Sequence, residues 1–140
     1  MDPFFPKAWG TNTNTEAERV DMCLGHPQAQ GIYHYHFMPP CIFNAALDDT
    51  AGPCLTGCSN NLINYGLSGY TTKKTLTPIG IAKDGHIIYG PYDSTGKTWV
   101  GTEVDICNGK MIDGVYGYVA STFHPYFVGC WGPGNYSTFT

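Results

Sequence analysis

The sequence is poor in charge. Its 140 residues include seven Lys and Arg and eleven Asp and Glu, so 13% are charged and the net charge is −4. An ordinary globular chain carries about 25%. So few cations leave no basic patch for a nucleic-acid partner. Apolar residues never run on for the roughly 18 positions a membrane-spanning helix needs, so no transmembrane segment is expected. The Glu, Lys, Ala and Leu content of a helical bundle is missing as well. Met1-Asp-Pro-Phe-Phe-Pro-Lys7 has no basic stretch followed by an apolar one, so no signal peptide is expected over these residues. The G-x-S-x-G elbow, the phosphate-binding glycine loops and a telling pair of carboxylates are all lacking. No catalytic residue is therefore expected, and the chain is not read as an enzyme.

Glycine, tyrosine and cysteine are what the chain has in quantity: 18 Gly, 10 Tyr and 6 Cys. Hydrophobic residues at 42% and aromatics at 14% exclude disorder. The length suits a single domain with one core. The cysteines are Cys23, Cys41, Cys54, Cys58, Cys107 and Cys130. None forms the C-x-x-C knuckle of a zinc finger, since Cys54 and Cys58 are separated by Leu-Thr-Gly. An even count in a small Gly- and Pro-rich chain favours disulfides and an oxidising compartment, which points to an extracellular or cell-surface location. Asn135-Tyr136-Ser137 is an acceptor sequence for an N-linked glycan, which fits that compartment.

The chain contains a repeat. Val20-Asp-Met-Cys-Leu-Gly25 matches Val104-Asp-Ile-Cys-Asn-Gly109. Gly31-Ile-Tyr-His-Tyr35 then matches Gly114-Val-Tyr-Gly-Tyr118, and each half closes on a cysteine, Cys41 or Cys130. The shared pattern is V-D-x-C-x-G, then G-x-Y-x-Y, then C. The simplest pairing is Cys23–Cys41 and Cys107–Cys130, with Cys54–Cys58 closing a small loop; a pairing across the halves is the alternative. The expected organisation is an arm and linker at 1–19, a domain at 20–132 with repeats 20–41 and 104–130 and an insertion at 44–75, and a tail at 133–140.

Short strands are expected over 31–37, 77–82, 86–89 and 115–119 from alternation and β-branched content. Asp84-Gly85 predicts a type I′ hairpin turn. Thr15-x-x-Glu18 fits a capping box, so one helical turn is expected over Glu16–Met22. The fold class is thus all-β: a small, disulfide-stapled antiparallel sheet or sandwich of two pseudo-repeated halves, with little helix.

Three blocks carry a family resemblance. They are Cys23-Leu-Gly-His26 leading to Gly31-Ile-Tyr-His-Tyr-His36; Pro78 to Tyr92; and Asp105-Ile-Cys-Asn-Gly109 leading to Gly114-Val-Tyr-Gly-Tyr118, His124-Pro-Tyr126 and Gly129-Cys130. Over residues 20–132 the chain resembles the YHYH domain family, named for the tetrapeptide at Tyr33–His36. The family often repeats a histidine pair in the third block, where this chain has Gly117 and Val119. The resemblance implies an extracytoplasmic domain.

His34 and His36 are the sharpest chemical feature. Two residues apart on a strand, they share a face and can reach one ion. His26 can join from the same half and His124 from the other, and imidazole suits Zn²⁺ or Cu²⁺. The competing reading has both histidines hydrogen-bonding backbone or tyrosine. Asp48, Asp49, Asp84, Asp93 and Asp113 lack the spacing of a calcium loop and read as turn formers.

Phe4, Phe5 and Trp9 form an apolar anchor on a proline-stiffened arm, set off by Thr11-Asn-Thr-Asn-Thr15. Such an arm can dock on a neighbouring copy, and a head-to-tail contact that does not close makes a filament. The first functional expectation is therefore a glycosylated extracellular subunit that polymerises through its terminal arms, needing no cofactor. The second is a histidine-based zinc or copper module. The polymer reading makes a direct prediction. Deleting residues 1–10 abolishes concentration-dependent assembly seen by light scattering and electron microscopy, and normal assembly of the shortened chain overturns it.

Overall fold

A computed structural model describes residues 20–47, 54 and 61–134. The anchor residues Phe4, Phe5 and Trp9, the Thr15–Glu18 box, Asp48, Asp49, Cys58 and Asn135 lie outside the described residues. The chain divides into two compact units, Met1–Tyr70 and Thr71–Thr140, each containing one copy of the repeat.

Each copy opens on an aspartate that builds a turn. Asp21 Oδ1 accepts the amides of Cys23 at 2.8 Å and Gly25 at 3.1 Å. Asp105 Oδ1 accepts those of Cys107 and Gly109, both at 2.9 Å. The backbone closes the same ring in both: Leu24 N to Asp21 O and Asp21 N to Gly25 O, then Asn108 N to Asp105 O and Asp105 N to Gly109 O. This turn needs a left-handed residue at its fourth position, and Leu24 (φ 64°) and Asn108 (φ 65°) supply it. Asparagine tolerates that conformation; leucine does so less readily, and Leu24 is fully buried there. The other carboxylate oxygen takes a tyrosine hydroxyl from the following strand, Tyr33 onto Asp21 and Tyr116 onto Asp105. Each tyrosine ring lies across the motif's glycine. A Cβ on Gly25 would meet Tyr33 Oη at 2.3 Å, and one on Gly109 would meet Tyr116 Oη at 2.1 Å. The disulfides Cys23–Cys41 and Cys107–Cys130 tie each turn to the end of its copy, with Cα separations of 5.3 and 4.6 Å, inside the ordinary range. Cys54 is also disulfide-bonded.

In the first unit β1 (Gly25–Pro27) pairs antiparallel with β2 (Tyr33–Tyr35). Gly31, at φ 77°, ends the Gln28–Gly31 turn that joins them. Two 3₁₀ turns follow, Pro40–Ile42 and Ala45–Leu47. Helix α1 (Leu62–Ser68) is capped by Asn61, whose side chain accepts from Asn64 N. It docks where glycine permits close approach: a Cβ on Gly66 would meet Phe37 Cε1 at 2.5 Å. Tyr65 and Tyr70 fix it further by donating to the carbonyls of Met22 and Pro39. Val20, Leu24, Phe37, Met38, Leu62 and Tyr70 form the buried apolar set.

The second unit holds a four-stranded sheet in the order β3 (Pro78–Ile81), β4 (Ile87–Tyr89), β6 (Val115–Val119), β5 (Gly109–Ile112). Central strand β6 is buried along Tyr116–Val119, as a strand covered on both faces should be. Ala82, Cys107, Tyr116 and Tyr118 make its core, with Ile88 and Val128 against them. Tyr118 donates to Asp84, whose carboxylate also lies 3.0 Å from His86 Nδ1, and Gly132 N donates back to the Tyr118 hydroxyl at 2.6 Å. Burial, then the bond to Asp84, push the Tyr118 phenol up to about 12. Burial pushes the Asp84 carboxyl up, but Tyr118 and His86 together outweigh it and hold it below the usual carboxylate range.

Most expected strands are present in shortened form, and 115–119 matches in full. Four details differ. β4 runs parallel to β6, so the sheet is mixed rather than antiparallel; the long stretch from Gly90 to Asn108 gives the chain room to cross over. The Asp84-Gly85 turn is a three-residue loop in which Gly85 (φ 90°) is left-handed and Asp84 is not. The two-residue turn with both φ positive occurs instead at Asp113-Gly114. Helix α1 lies in the expected insertion, whereas Asp21 and Met22 belong to the aspartate turn and are not helical. Among the described residues no helix is long and apolar enough to cross a membrane.

Two measurements test this frame. Tyr116→Phe should cost about 1–2 kcal/mol in urea unfolding, because the hydroxyl bonds a carboxylate that stays open to water. Gly109→Ala should cost about 1–3 kcal/mol by pushing the ring off the glycine. The double variant should cost less than the sum, since the ring shift already breaks the hydroxyl bond; additive costs would show that the two act separately. The second test is acid. The Asp84 carboxyl is lower in the folded chain than unfolded, so it stabilises above the unfolded value of about 3.9, and that contribution disappears as pH falls through the folded value. The stability curves of the native chain and Asp84→Asn should therefore converge on acidification. A constant gap down to strong acid would overturn the assignment.

Candidate metal centre

The ribbon β1–β2 assembles three imidazoles. His34 projects from the face of β2 opposite Tyr33 and Tyr35, because side chains alternate along a strand. His36 follows two positions on, just past the end of β2. His26 comes from the other strand, directly across from His34 in the register. Its place is set by the aspartate turn, which starts β1 at Gly25, and by the Gln28–Gly31 turn, which fixes the pairing. On the opposite face the rings of Tyr33 and Tyr35 meet edge to face with centroids 5.3 Å apart.

All three histidines are half-buried, and one nitrogen from each lies within 4.8 Å of the others. Ring centroids are 4.4 Å apart for His26–His34, 4.7 Å for His34–His36 and 5.3 Å for His26–His36. His34 Nδ1 lies 3.2 Å from the Ile32 carbonyl oxygen. A carbonyl only accepts, so Nδ1 carries the proton and Nε2 presents its lone pair. That Nε2 is 3.0 Å from His36 Nε2. With a proton on His36 Nε2 this contact is an N–H···N hydrogen bond; with that proton on Nδ1 both lone pairs are free to face one cation. Zn–N bonds of about 2.0–2.1 Å put tetrahedral ligand nitrogens roughly 3.3 Å apart, so a small opening of this pair admits an ion. A backbone carbonyl in the place of Ile32 O is the kind of partner that orients imidazoles in metal sites. Every donor in the cluster is imidazole nitrogen. Such a set suits zinc or copper and is wrong for calcium or magnesium, which take oxygen.

The remaining candidates fall elsewhere. His124 belongs to the second unit, where its ring approaches Tyr126 at 6.0 Å. Asp93 caps a turn through Thr95 N and Lys97 N, and Asp113 sits in a hairpin turn. Neither has the arrangement of a calcium ligand. The part played by Asp21 and Asp105 was not signalled by the repeat alone; the spacing of Asp, Gly and Tyr carried it, since all three meet at one point. The second unit also has an open groove of about 430 Å³ bordered by Asp105, Ile106, Phe123 and His124, with Ile106 90% exposed.

In comparison with protein-family models, residues 6–100 match the model described as YHYH protein. The match takes in the whole His26–His36 ribbon, and the third sequence block, from Asp105 onward, lies beyond it. Neither a curated protein nor a solved structure matches. The family match spans more than half of the chain, and its tetrapeptide supplies two of the three clustered imidazoles: the chain belongs to the YHYH protein family.

Proposed function

We propose that the chain is an extracellular metal-binding module whose first unit holds one Zn²⁺ or Cu²⁺ ion through His26, His34 and His36. The observation that carries this reading is the convergence of three imidazole nitrogens on one face, with His34 held in the ligating tautomer by the Ile32 carbonyl. Orientation of this kind lowers the cost of binding, because the ring need not be ordered by the ion. Three protein ligands leave a fourth position on a tetrahedral ion for water or another molecule. Copper binds such a nitrogen set more tightly than zinc by the general order of divalent ions, so availability in the compartment decides which is held. The extracellular placement is supported by the disulfides, which persist in oxidising surroundings.

Titration calorimetry on the full chain tests this. One zinc ion per chain should bind, with calcium and magnesium failing to compete. His34→Ala/His36→Ala should abolish binding. His26→Ala alone should weaken it by at least about a hundredfold, more than the loss of an outer-shell partner costs. Unchanged zinc binding in the double variant would end the proposal.

A further inference from the structure

We infer that the ion held by the three histidines is a structural staple of the β1–β2 ribbon, doing there what packed side chains do in the second copy. This rests on the metal reading above. It is drawn from a comparison of the two copies, whose strands pair in the same register. Gly25 lies opposite Tyr35 as Gly109 lies opposite Tyr118, and Pro27 lies opposite Tyr33 as Met111 lies opposite Tyr116. The positions of the ligands can therefore be read across. His26 corresponds to Lys110, His34 to Gly117 and His36 to Val119.

In the second copy those positions are covered by protein. Tyr89 of β4 lies on Gly117 so closely that a Cβ there would be 2.8 Å from Tyr89 Cε2. Val119 is fully buried. The Lys110 ammonium stands 4.7 Å from the centre of the Trp99 ring. Strand β6 is hydrogen-bonded on both edges, to β4 and to β5. Among the described residues the first copy has no third strand in its sheet, and its three histidines are half-buried. Its β2 pairs with β1 alone. A two-stranded ribbon is marginal by itself in water.

The histidines occupy the positions whose counterparts pack against Tyr89 and Trp99 in the second copy. One ligand comes from β1, one from β2 and one from just beyond β2, so a single ion ties both strands together. Covering and ligation exclude each other at this face. A histidine at Gly117 would collide with Tyr89, and a strand laid over His34 would fill the space the ion needs. An ion that only visited the site as cargo would have no reason to occupy the cover positions.

Hydrogen exchange on the full, disulfide-bonded chain, with and without Zn²⁺, separates the readings. With zinc at about ten times its dissociation constant, the amides of residues 25–36 should exchange roughly tenfold more slowly, and those of residues 109–119 should be unchanged. His36→Ala should remove the slowing. Zinc that binds by calorimetry yet leaves residues 25–36 unaltered, or slows both segments equally, would overturn the staple and leave the metal reading standing. Failure to bind at all would remove both.

Discussion

An aspartate carboxylate at the head of each repeat is the constraint on which the rest of the structure depends. One of its oxygens collects two backbone amides and forces a left-handed residue into the turn; the other takes a tyrosine hydroxyl from the strand that returns. Turn, first strand and second strand are thereby locked at one point. The same carboxylate device recurs at Asp93, which accepts from Thr95 N and Lys97 N, with Gly96 at φ 82° in the left-handed place. There a glycine satisfies the backbone. In the repeats Leu24 and Asn108 occupy that place, so the carboxylate, the buried packing and the adjacent disulfide must together offset a less favourable conformation. A glycine follows in both repeats for a different reason: the tyrosine ring lies on it.

Once the turn is set, the register follows, and the register decides chemistry. It places His26 across from His34 in one copy and Lys110 across from Gly117 in the other. The frame is common to both; the faces differ. On one face the side chains are small or long enough to accept Tyr89 and Trp99, and a parallel third strand is recruited. On the other they are imidazoles. The duplication thus puts two side-chain sets on one frame, a packed set in the second copy and a histidine cluster in the first.

The features legible in the sequence are the ones fixed by local chemistry. The repeat, two of the disulfides it suggested, strand 115–119 and the shared face of His34 and His36 could all be read from spacing. What could not be read depends on distant partners. Strand β1 is only Gly25-His26-Pro27, a sequence with no strand preference, and exists because β2 and the aspartate turn hold it. Helix α1 contains Asn64, Gly66 and Ser68, poor helix formers, and owes its place to the closeness with which Gly66 meets Phe37. The parallel pairing of β4 with β6 has no local signal at all. The Asp-Gly signal was sound as a turn signal, but the positive φ at Gly85 alone selects the longer loop over the tight one.

The placement of His26 shows how these levels join. His34-x-His36 is one donor short of a three-ligand set, and the sequence offered both His26 and His124 for the third without choosing between them. The third donor comes from another strand. It arrives because Asp21 starts β1 at Gly25, because the Gln28–Gly31 turn holds four residues, and because Tyr33 pins the return strand to Asp21. None of those residues can ligate an ion. Shifting the register by one residue would turn His26 to the tyrosine face and dissolve the cluster. The specificity of the site therefore resides as much in a carboxylate that never touches the ion as in the imidazoles that would.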